Sequence, residues 1–294
     1  MGSLQILIQQ IIGGLAIGSM YALVALGCAL IFSGMKVVNW AQGEFYMIGA
    51  FTALTAYVTW KWPFIFAFLF SVGVMFIVGT IVEKVTIDRV RESDHLTLLM
   101  ITIGISIFAK QVAILIWSPI GAVFPTIFGD VPFQIWGVYI VPQNIYVMLI
   151  GIVLMIILYV FLFRTKMGMA MRAVSQSREI AGIMGVNTKK MDMLTFGIGI
   201  CLAAAAGIIM APLTYIEPMM GVTVGIKGFV AAVIGGFGNL FGAVLGGIII
   251  GIIETTSAFF ISSGYKDAVV FSILIVVLVF KPQGLLAFSK GKKN

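Results

Sequence analysis

Runs of ~20 predominantly apolar residues, the length that carries a helix across a bilayer, recur along the whole 294-residue chain. They fall near Ile11–Phe32, Gly43–Thr59, Phe64–Val82, Leu96–Trp117, Ile145–Phe163, Met193–Pro212, Gly228–Leu240, Gly242–Phe260 and Ala268–Phe280. A bilayer offers no water to unpaired backbone groups, so only helices span it sensibly here. The pattern predicts an all-α, polytopic integral membrane bundle of eight or nine hydrophobic segments, a single transmembrane domain over residues 1–294. Gly228–Leu240 is short and glycine-rich, which suits either a short crossing helix or a re-entrant, broken one. With 61% hydrophobic and 10% charged residues, a soluble globular reading is excluded. The opening MGSLQILIQQ lacks a basic flank and leads into an overlong apolar run, so a first spanning helix is expected there and not a cleaved signal. Ile6 removes the myristoylation reading of Gly2.

The formal charge of +7 would suggest nucleic acid in a soluble protein. Here the basic residues are confined to particular loops, which makes them an orientation signal. Lys84, Arg89 and Arg91, the cluster from 164 to 190, and Lys281, Lys290, Lys292 and Lys293 are all expected on the cytoplasmic side. The 118–142 connection has no Lys or Arg and carries Asp130, so it is expected outside, as is the segment around Glu217. Alternation then puts the N-terminus outside, Lys36 at the inner end of the first helix and the C-terminus inside.

Small residues repeat at four-residue spacing within the spans: Gly14 and Gly18, Ala203 and Gly207, Gly242 and Gly246, Gly247 and Gly251. Such spacing lets helix backbones approach closely where no hydrophobic force drives association. GEFYMIGAF (43–51) and GFVAAVIGG (228–236) share a glycine-rich helix-start character. A pair of discontinuous helices of the kind transporters use near the midplane is one reading of them.

Cys28 and Cys201 stand alone in apolar runs, and His95 has no ligand-type partner at metal-binding spacing. GGFGNLFG (235–242) has glycines but no Walker lysine. No bound cofactor or metal is expected, and no enzymatic activity. Glu44, Lys110, Lys227 and Glu254 are the ionisable residues within or bordering spans, where charge is costly and often functional. Glu44 opens a helix at what reads as the cytoplasmic boundary, as a dipole-compensating acid or as a contact near a gate. Lys110 and Glu254 sit deeper, to pair, snorkel or line a pathway.

The longest polar interruption, Arg164–Asp192, carries six basic residues against Glu179 and Asp192. Its centre has the marks of a short helix. Ser175 or Ser177 is the N-cap, Glu179 lies in the first turn, and Gly185 is the stop. Ala181 and Gly182 leave one side of that helix small and blunt.

Glu179–Gly185, EIAGIMG, resembles the E-A-A-x-x-x-G cytoplasmic loop of ABC importer permeases, with Ile180 replacing the first alanine and without the proline-containing tail of the longer motif. Together with residues 18–50, GFVAAVIGGFGNLFGAVLGG (228–247) and FKPQGLL (280–286), the chain is similar over nearly its whole length to permease subunits of branched-chain amino acid importers of the Liv type. The resemblance implies a multi-pass subunit of a bacterial or archaeal cytoplasmic (inner) membrane, paired with a second related permease or with its own copy. Two cytosolic ABC ATPases, which bind the ATP and Mg, would dock on the loop holding Arg178, Glu179, Ala181, Gly182, Gly185 and Asn187. An extracytoplasmic binding protein would deliver leucine, isoleucine, valine or a related amino acid. Membrane lipid would be the surrounding medium, and no nucleic acid partner is implied. Relatives carrying urea, short amides or other amino acids share the resemblance. A stand-alone secondary transporter would need internal carboxylates along a path, and a channel would need rings of polar pore residues.

Overall fold

The computed structural model describes residues 3–286 apart from positions 92, 128, 130 and 136. Gly2, Asp130 and the tail lysines Lys290, Lys292 and Lys293, all invoked above, lie outside the described residues. Eleven α-helices follow one another among the described residues: α1 (Ser3–Met35), α2 (Gln42–Leu54), α3 (Phe64–Val82), α4 (His95–Trp117), α5 (Pro142–Arg164), α6 (Lys166–Gln176), α7 (Arg178–Ile183), α8 (Thr188–Met210), α9 (Met220–Gly235), α10 (Leu240–Phe260) and α11 (Lys266–Phe280). An antiparallel hairpin of β1 (Phe133–Ile135) and β2 (Val138–Ile140) interrupts them between α4 and α5.

Among the described residues, seven helical stretches have the length and hydropathy to cross a bilayer: Gln5–Met35, Phe64–Val90, His95–Trp117, Pro142–Arg164, Thr188–Leu213, Leu240–Phe260 and Ser263–Phe280. Two of the nine apolar runs are not helices of span length, as the short, glycine-rich character of Gly228–Leu240 led one to expect for that run. Gly43–Thr59 is α2 followed by a π-helical turn, Thr55–Thr59, and Gly228–Leu240 is the second half of α9 plus a turn. Non-helical segments ending in a turn lead into both helices, residues 36–41 before α2 and 214–219 before α9.

The helices run between two chemically different ends. At one end lie the hairpin and the bridge between Ala122 and Ile216. The start of α1 is there too, since a Cβ on Gly137 of the hairpin turn would touch the Gln5 side chain. At the other end the tail of α3, the loop from Arg164 to Asp192 and the start of α8 meet in ion pairs. This second end is called the basic end below. α4 starts there, capped by Asp94, whose exposed carboxylate is held below its ordinary range by the hydroxyl and N–H of Thr97. The chain tail also closes on it. Leu285 and Leu286 donate N–H groups to the carbonyls of Ile234 and Gly235 (2.8 and 3.2 Å), satisfying the C-terminal end of α9. Asn239 caps α10 through Phe241 N–H and Gly242 N–H (3.0 and 3.2 Å). GGFGNLFG is thus a helix–helix turn.

α1 and α8 form the buried centre, and α10 lies along α1 at backbone distance. A Cβ on Gly251 would fall 2.2 Å from Gly18 N, and one on Gly247 would fall 2.3 Å from Ala22 N. Gly14 faces Ile252 and Thr255, Gly242 lies against Gly235, and Gly246 against Ala231. Gly14, Gly18, Gly242, Gly246, Gly247 and Gly251 thus sit at α1–α10 or α9–α10 crossings, and Gly207 of α8 lies against the Tyr46 backbone of α2. Gly251→Ala should therefore force α1 and α10 apart at a cost of ~1–3 kcal/mol, lowering the unfolding temperature of the purified protein in detergent. Gly13→Ala, with open space where its Cβ would be, should not. Equal temperatures for the two variants would show that the contact is not tight.

Candidate functional site

Polar chemistry is concentrated at three places, one at the basic end and two inside the bundle. At the basic end three side-chain caps punctuate the loop. Thr165 accepts from Gly168 N–H (3.0 Å) and starts α6, Ser177 accepts from Ile180 N–H (3.3 Å) and starts α7, and Asn187 accepts from Lys190 N–H (3.0 Å) and starts α8. Of the two serine candidates, Ser177 is the cap of α7, while Ser175 donates to the Arg172 carbonyl. Gly185 has φ +84°, the left-handed conformation that a helix stop requires. Val186 N–H returns to the Ala181 carbonyl and Gly185 N–H to the Gly182 carbonyl, both at 3.0 Å, which closes α7 as a Schellman motif.

α7 turns the opposite way from the sequence expectation. Ala181 is buried against the bundle, beside Val186. Ile180, Ile183 and Met184 face outward, the last two about 80% and 78% exposed. The free face is large and apolar, not small and blunt, because the alanine packs inward and leaves the isoleucines and Met184 outside. Gly182 is open and Glu179 exposed. Arg178 ties the helix down: its Nη1 lies 2.5 Å from Oδ2 of buried Asp192 in α8. The same carboxylate pairs with Arg91, from the tail of α3, and Arg91 reaches Glu83 at 3.9 Å. Lys189 adds a pair with Asp88 (3.2 Å). Reading the sequence did not assign Asp192 this part; an acid at the first turn of a span in a basic loop was the available signal.

Inside the bundle, Glu254 of α10 is fully engaged. Lys227 Nζ from α9 is 2.6 Å from Glu254 Oε1 and 2.7 Å from Asp267, Tyr21 of α1 donates to Oε2 at 2.8 Å, and Lys266 stands 3.6 Å away. Glu254 therefore pairs with Lys227 and not with Lys110, because α9 and not α4 packs on α10. The cluster joins α1, α9, α10 and α11.

Glu44 is different. It is not at the cytoplasmic boundary. The lead-in 36–41 runs back into the bundle, held by Thr102 Oγ1 donating to the Val38 carbonyl (3.1 Å) and by Asn39, which accepts from Ala41 N–H (3.1 Å). Gln42 donates to the Gly199 carbonyl of α8 (2.8 Å). Glu44 then accepts from Ser106, the midpoint of α4, at 3.1 Å. α9 begins at the same depth, its Gly221 and Gly225 backbone against Gly43. Lys110, one turn beyond Ser106, is half-buried and close enough for its charge to act on Glu44, without forming an ion pair.

A helical membrane bundle in which two short helices begin face to face at mid-depth, with a tied helical handle at its basic end, is the build of a membrane transport subunit. The sequence matches the permease component of branched-chain amino acid transport systems over residues 10–278, and the chain belongs to that family. It is 34% identical to the high-affinity branched-chain amino acid transport system permease protein BraD of Pseudomonas aeruginosa, over 97% of each chain. It is 32% identical to the corresponding permease protein LivH of Salmonella typhimurium, again over 97% of each. In fold it is similar to PsaBC from Streptococcus pneumoniae in complex with Fab, with a TM-score of 0.50 at 12% identity over 94% of this chain and 91% of that one.

The two interior sites differ in what breaking them should do. Lys227→Met leaves Glu254 buried without its main partner and should destabilise the bundle by ~3 kcal/mol. Lys227→Met with Glu254→Gln should recover more than half of that. Thermal unfolding of both variants in detergent checks the coupling; additive losses would refute it.

Proposed function

We propose that this chain is one of two membrane subunits of an ATP-driven importer of branched-chain amino acids. Leucine, isoleucine, valine or a close relative is received from an extracytoplasmic binding protein, and two cytosolic ATPases, holding ATP and Mg, drive the cycle through α7. The second subunit is a related permease or another copy of this chain. The basic end faces the cytosol, in keeping with the bias of Lys and Arg toward that side.

The observation that carries this reading is the construction of α7. Ile180 and Ile183 stand out from a helix of six residues, with Met184 beside them at its C-cap, in the most polar stretch of the chain. Exposed apolar groups so placed mark a contact with another protein. The cap, the Schellman stop and the Arg178–Asp192 pair keep the helix from yielding when it is pushed. The family membership and the BraD and LivH likenesses support the cargo class.

Ile183→Asp and, separately, Gly185→Pro should weaken ATPase association by about tenfold or more, as loss of a central apolar anchor does. Proline cannot adopt the φ of position 185. ATP-dependent leucine uptake in proteoliposomes should fall with it, while the unfolding temperature of the membrane subunits stays unchanged. Normal association and uptake in both variants would refute the coupling role. Uptake by the purified chain without ATPases, or labelling of a cysteine placed at position 183 from the outside of intact cells, would refute the reading as a whole.

A further inference from the structure

Glu44 is 2% exposed, and its Oε2 has no hydrogen-bond partner. A buried carboxylate oxygen left unsatisfied at mid-depth is costly, and the structure does nothing to shield it. Instead, position 221 facing it is glycine, where a Cβ would stand 2.9 Å from Oε2. Glu44, Trp40, Ile103, Ser106, Gly221 and Gly225 line a cavity of about 160 Å³ between the start of α2, α4 and the start of α9. This is small against the ~300–1,000 Å³ of pockets that enclose a whole ligand. It has room for the charged end of a small solute.

The charges around the cavity are of both signs and are not joined. Glu44 lies on one side. Facing it is the first turn of α9, whose dipole puts positive potential at that depth, and Lys110 stands one turn of α4 beyond Ser106, outside the cavity lining. Contrast Glu254, whose cation is in contact at 2.6 Å. Ionisable groups at this depth face protein or a water-filled passage, not lipid. Ile103, Ser106 and Lys110, three and four residues apart, share the face of α4 that carries its part of the cavity lining.

We infer that the Glu44 cavity is a station in the permease for a zwitterionic amino acid, Glu44 taking the α-ammonium and Lys110 with the α9 N-terminus taking the α-carboxylate. This rests on the importer reading above and adds the residues that handle the cargo within the membrane. The aliphatic side chain is left in the passage outside the cavity. Discrimination at this step is by the charged head common to amino acids, and not by the length of the side chain.

The test uses the full complex, with partner permease, ATPases and binding protein, in proteoliposomes. Glu44→Gln and Lys110→Met should each cut leucine uptake by about tenfold or more, as loss of a charge-assisted contact does. Each should also raise the ATP hydrolysed per leucine imported, in complexes that assemble in normal yield. Glu44→Asp should keep part of the uptake. Unchanged uptake and ATP-to-leucine ratio in both variants would overturn the inference and leave the importer reading standing. A wild-type complex that takes up no amino acid would overturn the importer reading and the cargo with it.

A second readout does not depend on Glu44→Gln folding. With Cys28 and Cys201 replaced by alanine, Ile103→Cys should react faster with an aminoethyl methanethiosulfonate cation than with the sulfonatoethyl anion, each normalised to a free thiol. Adding leucine and ATP to the turning-over complex should slow the cation. Equal normalised rates, or no protection, would overturn the inference.

Discussion

Non-helical backbone at membrane depth is tolerated only where protein satisfies it, and two such stretches, 36–41 and 214–219, govern the centre of this molecule. Each must find partners for its peptide groups inside the bundle. Thr102 and Asn39 supply them for the first. For the second, Ile216 exchanges both backbone hydrogen bonds with Ala122 (2.8 and 3.0 Å), and the Tyr215 hydroxyl beside it donates to the Gly121 carbonyl (2.7 Å). Because each lead-in spends part of the membrane thickness, the helix that follows is short and starts near the middle. Two helix N-termini are thereby brought together, and the contact is close enough that Gly43, Gly221 and Gly225 admit no side chain.

This explains how far the sequence could be read. The seven long helices were legible because each is a run of span length, with polar or basic residues at its ends. The handle was legible because Ser177, Glu179 and Gly185 are local signals whose meaning does not depend on tertiary context. Of the half-helices only the glycine-rich start of α2 was visible; GFVAAVIGG, read as a helix start, is the second half of α9, which begins at Met220. Hydropathy counts apolar residues without saying at what depth a helix begins, so Glu44 read as a boundary acid. The orientation of α7 was lost for a related reason. In six residues no periodicity shows which side is inside, and small size at Ala181 is as compatible with tight packing as with a blunt free face. Pairings across the sequence, Lys227 with Glu254 or Arg178 and Arg91 with Asp192, depend on which helices are neighbours. No spacing along the chain encodes that.

The interior charges divide accordingly. Glu254 and Lys227, with Tyr21 and Asp267, satisfy one another and fasten four helices; such a cluster gains little by admitting a solute. Glu44 retains an unpartnered oxygen beside a cavity, with its nearest cation set apart. The same residue type thus serves two purposes, and the difference lies in whether the neighbouring helix supplies a counter-charge in contact. In an importer whose cargo is captured elsewhere, a shallow site of separated charges is suited to passage. It can hold a zwitterion briefly, and it does not hold it so tightly that release becomes limiting.

Contacts also join the handle to that site. Arg178 fixes α7 to Asp192 at the start of α8, and Arg91 fixes the same carboxylate to the tail of α3. α8 is a single uninterrupted helix from there to the middle of the bundle. At that level its Gly199 carbonyl holds Gln42, two residues before Glu44. A displacement imposed on α7 therefore reaches α2 through one ion pair, one rigid helix and one hydrogen bond. Packed cores are not continuously deformable, so α8 passes on a movement instead of absorbing it. The half-helix contact at Gly43, Gly221 and Gly225 involves backbone on both sides and no interlocking side chains. In the proposed cycle, sliding at this contact changes the distance between Glu44 and the start of α9. In the proposed cycle the ATPases thus act on the spacing of the charges that hold the cargo.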